Sequence, residues 1–182
     1  MENSLQQAAQ VYSEICKHRY RYTFSNGEEI TVVFKPQNFC HLAGLRKIND
    51  LREFQVENKT PVYSANKLFS MALHGAFPDH FLQMSVAYDT DARERINNLS
   101  KLKELLHTDK AVWNFDSGKG HIKSALKSSV ILFRAEGYNF YLTLGLADAG
   151  TQEYYPETFF LRYDTGYLEN QEIVNIVKLD IE

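Results

Sequence analysis

The sequence predicts an α+β fold in which helices pack on a mainly antiparallel β-sheet, with a helix and a β-hairpin at the N-terminus. Three observations carry this. Apolar residues recur at helical spacing through most of the first two thirds of the chain, the period shortens to two towards the end, and an Asn-Gly turn joins two alternating segments early on. This segregation of helices from strands argues against a βαβ parallel sheet. The 182 residues contain no internal repeat and no Pro/Gly/Ser-rich linker, so one domain over residues 1–182 is expected.

Leu5, Ala8, Ala9, Tyr12, Ile15 and Cys16 fall on one face of a helix expected from Ser4 to Lys17, with Ser4 and Gln7 at capping-box spacing. Tyr20, Tyr22 and Phe24 then alternate with polar residues, and beyond Asn26-Gly27 the alternation resumes at Ile30, Val32 and Phe34. This is a hairpin with the turn residues that its backbone demands. Phe39, Leu42, Leu45 and Ile48 predict a helix over 38–49 with Asn38 as N-cap. A less regular stretch follows. Ser64 to His74 predicts a helix stopped by Gly75, Asp79 to Ala87 leaves its type open, and Asp91 with Glu94 predicts the capped start of a helix running to His107. Val130–Arg134 and Tyr138–Leu144 predict a second hairpin around Glu136-Gly137, and Thr158–Tyr163 and Ile173–Ile181 predict two further strands.

The chain is 44% hydrophobic and 24% charged with net charge −3, which fits an ordinary folded domain rather than a disordered chain. No apolar run reaches the ~18 residues of a membrane span, and Met1-Glu2-Asn3 opens no signal segment. Cys16 and Cys40 fit neither a disulfide scaffold nor a CxxC motif, so reduced thiols and a cytoplasmic location are expected. Charge is uneven: residues 1–134 carry 18 Lys/Arg against 14 Asp/Glu, and residues 135–182 carry two against nine. A basic first part suits a phosphate-facing surface or ordinary surface scatter, whereas the overall acidity argues against non-specific coating of nucleic acid.

Several chemistries are unsupported. Asp116-Ser117-Gly118-Lys119-Gly120 lacks the Ser or Thr that follows the lysine of a P-loop. No GxSxG, HExxH or EF-hand spacing occurs, His74 and His80 fit no zinc signature, and neither metal nor cofactor is expected. Three constellations remain. His41, near the start of the predicted helix, suits proton transfer because the positive helix terminus disfavours its cation, or else is a structural histidine hydrogen-bonded into the core or to a backbone carbonyl. Tyr155 and Thr158, around Pro156, offer hydroxyls at a loop entering a strand, or else simply begin that strand. Lys119, His121, Lys123 and Lys127 form a basic stretch leading to Arg134, which interrupts an apolar strand face; they suit steering of an RNA backbone and stabilisation of a phosphorane, or a solvated loop.

The order of these features, with Asn38-Phe39-x-His41-Leu42-x-Gly44 and Tyr155-Pro156-x-Thr158-Phe159, resembles the phage-associated nuclease-like domains of the barnase, EndoU, colicin and RelE-like superfamily, in particular the fourth phage-associated group. The resemblance covers roughly Tyr20 to Ile181. It implies a barnase/RelE-like fold, with helices on a four-stranded antiparallel sheet whose open face holds RNA, and a metal-independent endoribonuclease that attacks the phosphate with the ribose 2′-hydroxyl. On that reading His41 is the acid or base and Thr158 a phosphate donor. Arg134 as phosphorane stabiliser and Tyr155 as a stacking or hydrogen-bonding group are added from the residues themselves. A toxin-like, phage or mobile-element role with an antitoxin or other protein partner goes with this reading. The alternatives are a non-catalytic RNA- or protein-binding module on the same fold, and an inhibitor or adaptor acting through an aromatic face.

Overall fold

Local sequence signals place most elements. The computed structural model describes residues 4–57, 59–119, 126, 128–136, 138–147 and 151–182. In chain order the elements are α1 (Ser4–Ile15), β1 (Arg19–Phe24), β2 (Glu29–Val33), α2 (Phe39–Leu42), β3 (Val56–Glu57), β4 (Thr60–Pro61), α3 (Ala65–Leu73), α4 (Asp79–Leu82), α5 (Arg93–Asn98), α6 (Lys101–Leu106), β5 (Lys110–Trp113), β6 (Val130–Glu136), β7 (Tyr138–Leu146), β8 (Glu153–Arg162) and β9 (Glu172–Ile181). They cluster into two units: residues 4–17 with Lys35–Lys101, which is mainly helical, and His18–Phe34 with Leu102–Glu182, which is mainly β. Among the described residues no helix is long and apolar enough to cross a membrane.

In the helical unit α1 buries Leu5, Ala8, Ala9, Tyr12 and Ile15, the stripe its spacing predicts. Ser4 N and Oγ both donate to Asp79 Oδ1, at 3.1 and 2.6 Å. Tyr12 packs its ring against Phe39 and Phe69 while its hydroxyl donates to Lys35 O. α3 starts where Ser64 Oγ accepts from Lys67 N and stops before Gly75, whose φ of +74° is the left-handed conformation that ends helices.

Two expected helices break. The one predicted over 38–49 is a 3₁₀ turn at Pro36–Asn38, the single turn of α2 and another 3₁₀ turn at Leu45–Lys47. Gly44, at φ +73°, ends α2, and a Cβ there would lie 3.1 Å from both Ala92 Cα and Arg95 Cδ. The helix predicted from Asp91 instead begins as a π-helical turn at Tyr88–Ala92 and is interrupted between α5 and α6. Asp91 is drawn to Lys47 Nζ at 2.5 Å and Arg95 Nε at 3.1 Å, so its carboxylate is spent on ion pairs rather than a cap. Burial alone raises the Asp91 pKa, but these two cations outweigh it and hold the carboxyl below its usual range.

Both cysteines are free thiols, as expected. Burial pushes Cys40 up to about 12 and Cys16 to about 11. Because the thiolate is the reactive form, the native protein at about pH 8 should resist iodoacetamide, with Cys40 labelled only in denaturant. Mass spectrometry of the labelled chain checks this; rapid native labelling of Cys40 would contradict its burial.

The β unit is a seven-stranded closed barrel in the order β1-β2-β8-β7-β6-β5-β9, rather than the open four-stranded sheet that the resemblance implies. All its pairings are antiparallel except β2 with β8, where Thr31 and Val32 pair with Glu153 and Tyr154. The ring closes through β9, which pairs with both β1 and β5. One wall face is apolar on strand after strand, through Tyr20, Tyr22 and Phe24, Ile30 and Val32, Val130 and Leu132, Leu142 and Leu144, and Phe159. Tyr22 is fully buried on this face and its hydroxyl donates to Leu106 O at 2.8 Å. On the opposite face Val112, Ile131, Phe133, Tyr141 and Phe160 form a second core with Tyr167, joined by Phe115, Leu126 and Leu168.

Candidate active site

Register decides which polar groups in the β unit can meet. β7 and β8 pair directly from Asn139 with Arg162 to Thr143 with Thr158, and the next pair is Leu144 with Pro156. Glu157 is the extra residue, so β8 carries a β-bulge there. A bulge accommodates Pro156, which has no N–H to give a ladder, and it re-aims the side chain of the residue left over. That side chain is a carboxylate. Ser128 Oγ donates to Glu157 Oε2 in a short hydrogen bond, and Tyr155 OH donates to Oε1 at 3.3 Å. Thr143 Oγ1 accepts from Thr158 N at 3.2 Å beside them.

The carboxylate lies over β7 at Gly145. A Cβ on Gly145 would lie 2.7 Å from Glu157 Oε1, so the glycine is the space that the carboxylate occupies. Ser128 is buried, while Tyr155, Glu157 and Thr158 are half-buried and within reach of a ligand. Burial, and then the neighbouring Glu157 charge and hydrogen bond, raise the Tyr155 pKa. Tyr155 is therefore a hydroxyl donor at neutral pH. The cluster contains a proton acceptor, Glu157, and hydroxyl groups at Tyr155, Ser128 and Thr158, the components of acid–base chemistry at a phosphate.

The sequence singles out Tyr155 and Thr158 but misses Glu157, Ser128, Thr143 and Gly145. Tyr155 and Thr158 lie within β8, not at a loop entering a strand. Arg134 and Thr158 are not brought together. Arg134 pairs with Phe140 and Thr158 with Thr143, and residues 140 and 143 of an alternating strand point to opposite faces. Arg134 is half-buried and its Nη1 donates to Glu104 O at 3.5 Å.

His41 belongs to the helical unit. It is exposed in the last turn of the four-residue α2, not at the start of a long helix. The helix-terminus argument for its proton affinity therefore does not apply. Lys119 is exposed and its loop is fixed from two sides: Asn170 Nδ2 donates to Lys119 O at 3.2 Å, and the Gln171 amide exchanges two hydrogen bonds with the Asp116 backbone. His121, Lys123 and Lys127 lie outside the described residues.

A family model described as phage-Barnase-EndoU-ColicinE5/D-RelE like nuclease4 (PBECR4) matches residues 4–182. The chain belongs to this family. The match spans both units, so the resemblance seen in the short motifs holds for nearly the whole chain, and the family is one of nucleases of the barnase, EndoU, colicin and RelE type. Nucleic acid is accordingly the substrate class that the PBECR4 family indicates. No curated protein and no solved structure matches the chain.

Proposed function

We propose that this PBECR4 protein is a metal-independent endoribonuclease that cleaves RNA by 2′-hydroxyl transesterification, acting as one domain on a barnase/RelE-like fold whose sheet is closed into a barrel. The observation that carries the proposal is the β8 bulge that holds the Glu157 carboxylate against Ser128 and Tyr155. In this reading Glu157 takes the proton of the ribose 2′-hydroxyl as its oxygen bonds to phosphorus, forming the 2′,3′-cyclic phosphate. The bond from phosphorus to the 5′-oxygen breaks, and that oxygen receives a proton from an acid. Tyr155 and Thr158 supply hydrogen bonds to the phosphate oxygens, and Lys119, with His121, Lys123 and Lys127, steers the RNA backbone. His41, in the helical unit, stays a separate candidate for acid or base on its chemistry and exposure. Arg134 is set apart from this cluster by register. A toxin-like, phage or mobile-element role in the cytoplasm, restrained by an antitoxin, follows from the same reading.

The test is incubation of wild type and His41→Ala with a labelled RNA pool in EDTA, with the product ends analysed. Wild type should leave 2′,3′-cyclic ends, and His41→Ala should lose cleavage while its stability stays within about 1 kcal/mol, as for an exposed residue outside the packing. Equal cleavage by His41→Ala removes it from the mechanism, and loss of cleavage in EDTA, restored by a divalent ion, removes metal independence. One observation favours the second reading, a non-catalytic RNA- or protein-binding module: Arg134 and Thr158 lie on opposite faces. Retention of RNA without any product would identify it.

A further inference from the structure

Among the described residues only two aromatic side chains are exposed, Tyr138 at 45% and Tyr163 at 75%, and they touch each other. Their ring centroids are 4.6 Å apart with the planes at 49°, and Tyr163 OH donates to Tyr138 OH at 3.1 Å. Other tyrosines of the barrel are better covered: Tyr22 and Tyr141 are fully enclosed, and Tyr154 and Tyr155 are half-buried. An isolated exposed aromatic needs no explanation, but two coupled rings held at the end of two paired strands form a preorganised apolar surface.

Register places the pair with a cation. Tyr138 lies two residues before Phe140 on β7, and Tyr163 lies two residues after Leu161, which pairs with Phe140. Arg134 also pairs with Phe140, so Arg134, Tyr138, Phe140 and Leu161 share one face, and Tyr163, just past the end of β8, touches Tyr138. Arg162, exposed, adds a second positive charge at the same end of the wall. Of the acids beside the pair, Glu136 lies opposite Tyr138 in the register, and Asp164 is turned into its own loop, where Oδ1 accepts from Gly166 N at 3.0 Å. The Glu157 bulge lies about 20 Å away along β7, some six residues at strand rise, and on the opposite face.

We propose that Tyr138 and Tyr163 are a base-stacking platform for single-stranded nucleic acid, with Arg134 holding an adjoining phosphate: a substrate subsite remote from the cleavage cluster. The inference rests on the nuclease reading for its choice of ligand. Aromatic stacking accepts any base and does not require the 2′-hydroxyl, and a guanidinium on the same strand face supplies the charge that a phosphate needs.

The test uses fluorescein-labelled single-stranded DNA of about 12 nucleotides, a length within the range such binders cover and uncleavable by 2′-hydroxyl attack, with anisotropy as the readout. Tyr163→Ala should weaken binding about 5- to 150-fold, the range expected for losing one stacked base. Tyr163→Leu should bind as poorly as Tyr163→Ala, and Tyr163→Phe, which keeps the ring, should bind within a few-fold of wild type. Arg134→Gln should weaken binding and reduce the slope of log affinity against log salt by about one. Far-UV dichroism of each variant controls for folding.

Wild-type affinity in Tyr163→Ala, or equally tight binding by Tyr163→Leu, overturns the platform. So does failure of wild type to bind the strand, which would leave the pair as a protein contact. An unchanged salt slope in Arg134→Gln overturns the phosphate contact. Cleavage of RNA is scored separately by cyclic ends: ring-dependent DNA binding without cleavage keeps the platform and removes the nuclease reading, and cleavage without ring dependence does the reverse.

Discussion

Replacing Glu157 by Gln is expected to lower RNA cleavage by about 10²–10⁴-fold, the usual cost of removing a general base, while the fold persists. Gln keeps the length and shape of the side chain. Its amide oxygen still accepts from Ser128 Oγ or Tyr155 OH, so the cluster survives with small loss of stability while the proton acceptor is gone. Gly145→Ala is the companion variant. Its Cβ would lie 2.7 Å from Oε1 and 2.8 Å from Cδ of Glu157, groups at the free end of a flexible side chain. The carboxylate is therefore displaced at little cost to the wall, and cleavage should drop with a near-normal melting temperature. Cleavage by Glu157→Gln at the wild-type rate, in the same RNA assay, would exclude this carboxylate from the chemistry.

How much of this was legible in the sequence depends on the distance over which each feature is determined. Asn26-Gly27 predicts its hairpin because the turn residue itself needs positive φ, and Gly27 has φ +87° between β1 and β2. Ser64 and Gly75 bracket α3 for the same local reason. Closure of the barrel has no such local mark: β1 pairs with β9 and β2 with β8 across more than a hundred residues, and neither pairing alters the alternation within a strand. Thr158 was found by its motif and Arg134 by its odd place on an apolar strand, yet their separation to opposite faces follows only from the β6-β7-β8 register. Glu157 was hidden for a related reason, since one extra residue shifts the period just where the pattern is read. Two signals were available: Pro156 inside a strand marks a bulge, and Gly145 inside β7 marks a close approach.

His41 shows the opposite error. The spacing of Phe39, Leu42, Leu45 and Ile48 is helical, and all four side chains are buried, but the backbone between them is not one helix. Gly44 sits where a helix would place an ordinary residue and takes a left-handed conformation. A periodic apolar pattern reports which residues are buried; a glycine within it can report where the chain turns.

Gly44→Ala should accordingly destabilise the helical unit by about 2–4 kcal/mol, combining left-handed strain with overpacking. The strain comes from φ +73°, and the overpacking from a Cβ 3.1 Å from Ala92 Cα and Arg95 Cδ. Neither neighbour yields easily: one is backbone, and the Arg95 side chain is 11% exposed and fixed by Asp91. Gly27→Ala separates the two causes, because Gly27 is also left-handed at φ +87° but a Cβ there meets nothing within 4 Å. It should cost only the strain, about 1–2 kcal/mol. Urea unfolding measures both, with ellipticity following the helices and the single Trp, Trp113 on β5, following the barrel. A Gly44→Ala loss no larger than that of Gly27→Ala would mean that Ala92 and Arg95 give way and packing contributes nothing. The family match runs through both units, so we expect the two probes to shift together in Gly44→Ala, as in one cooperative domain. An ellipticity transition that moves while Trp113 emission stays in place would instead mean that the helical unit unfolds on its own.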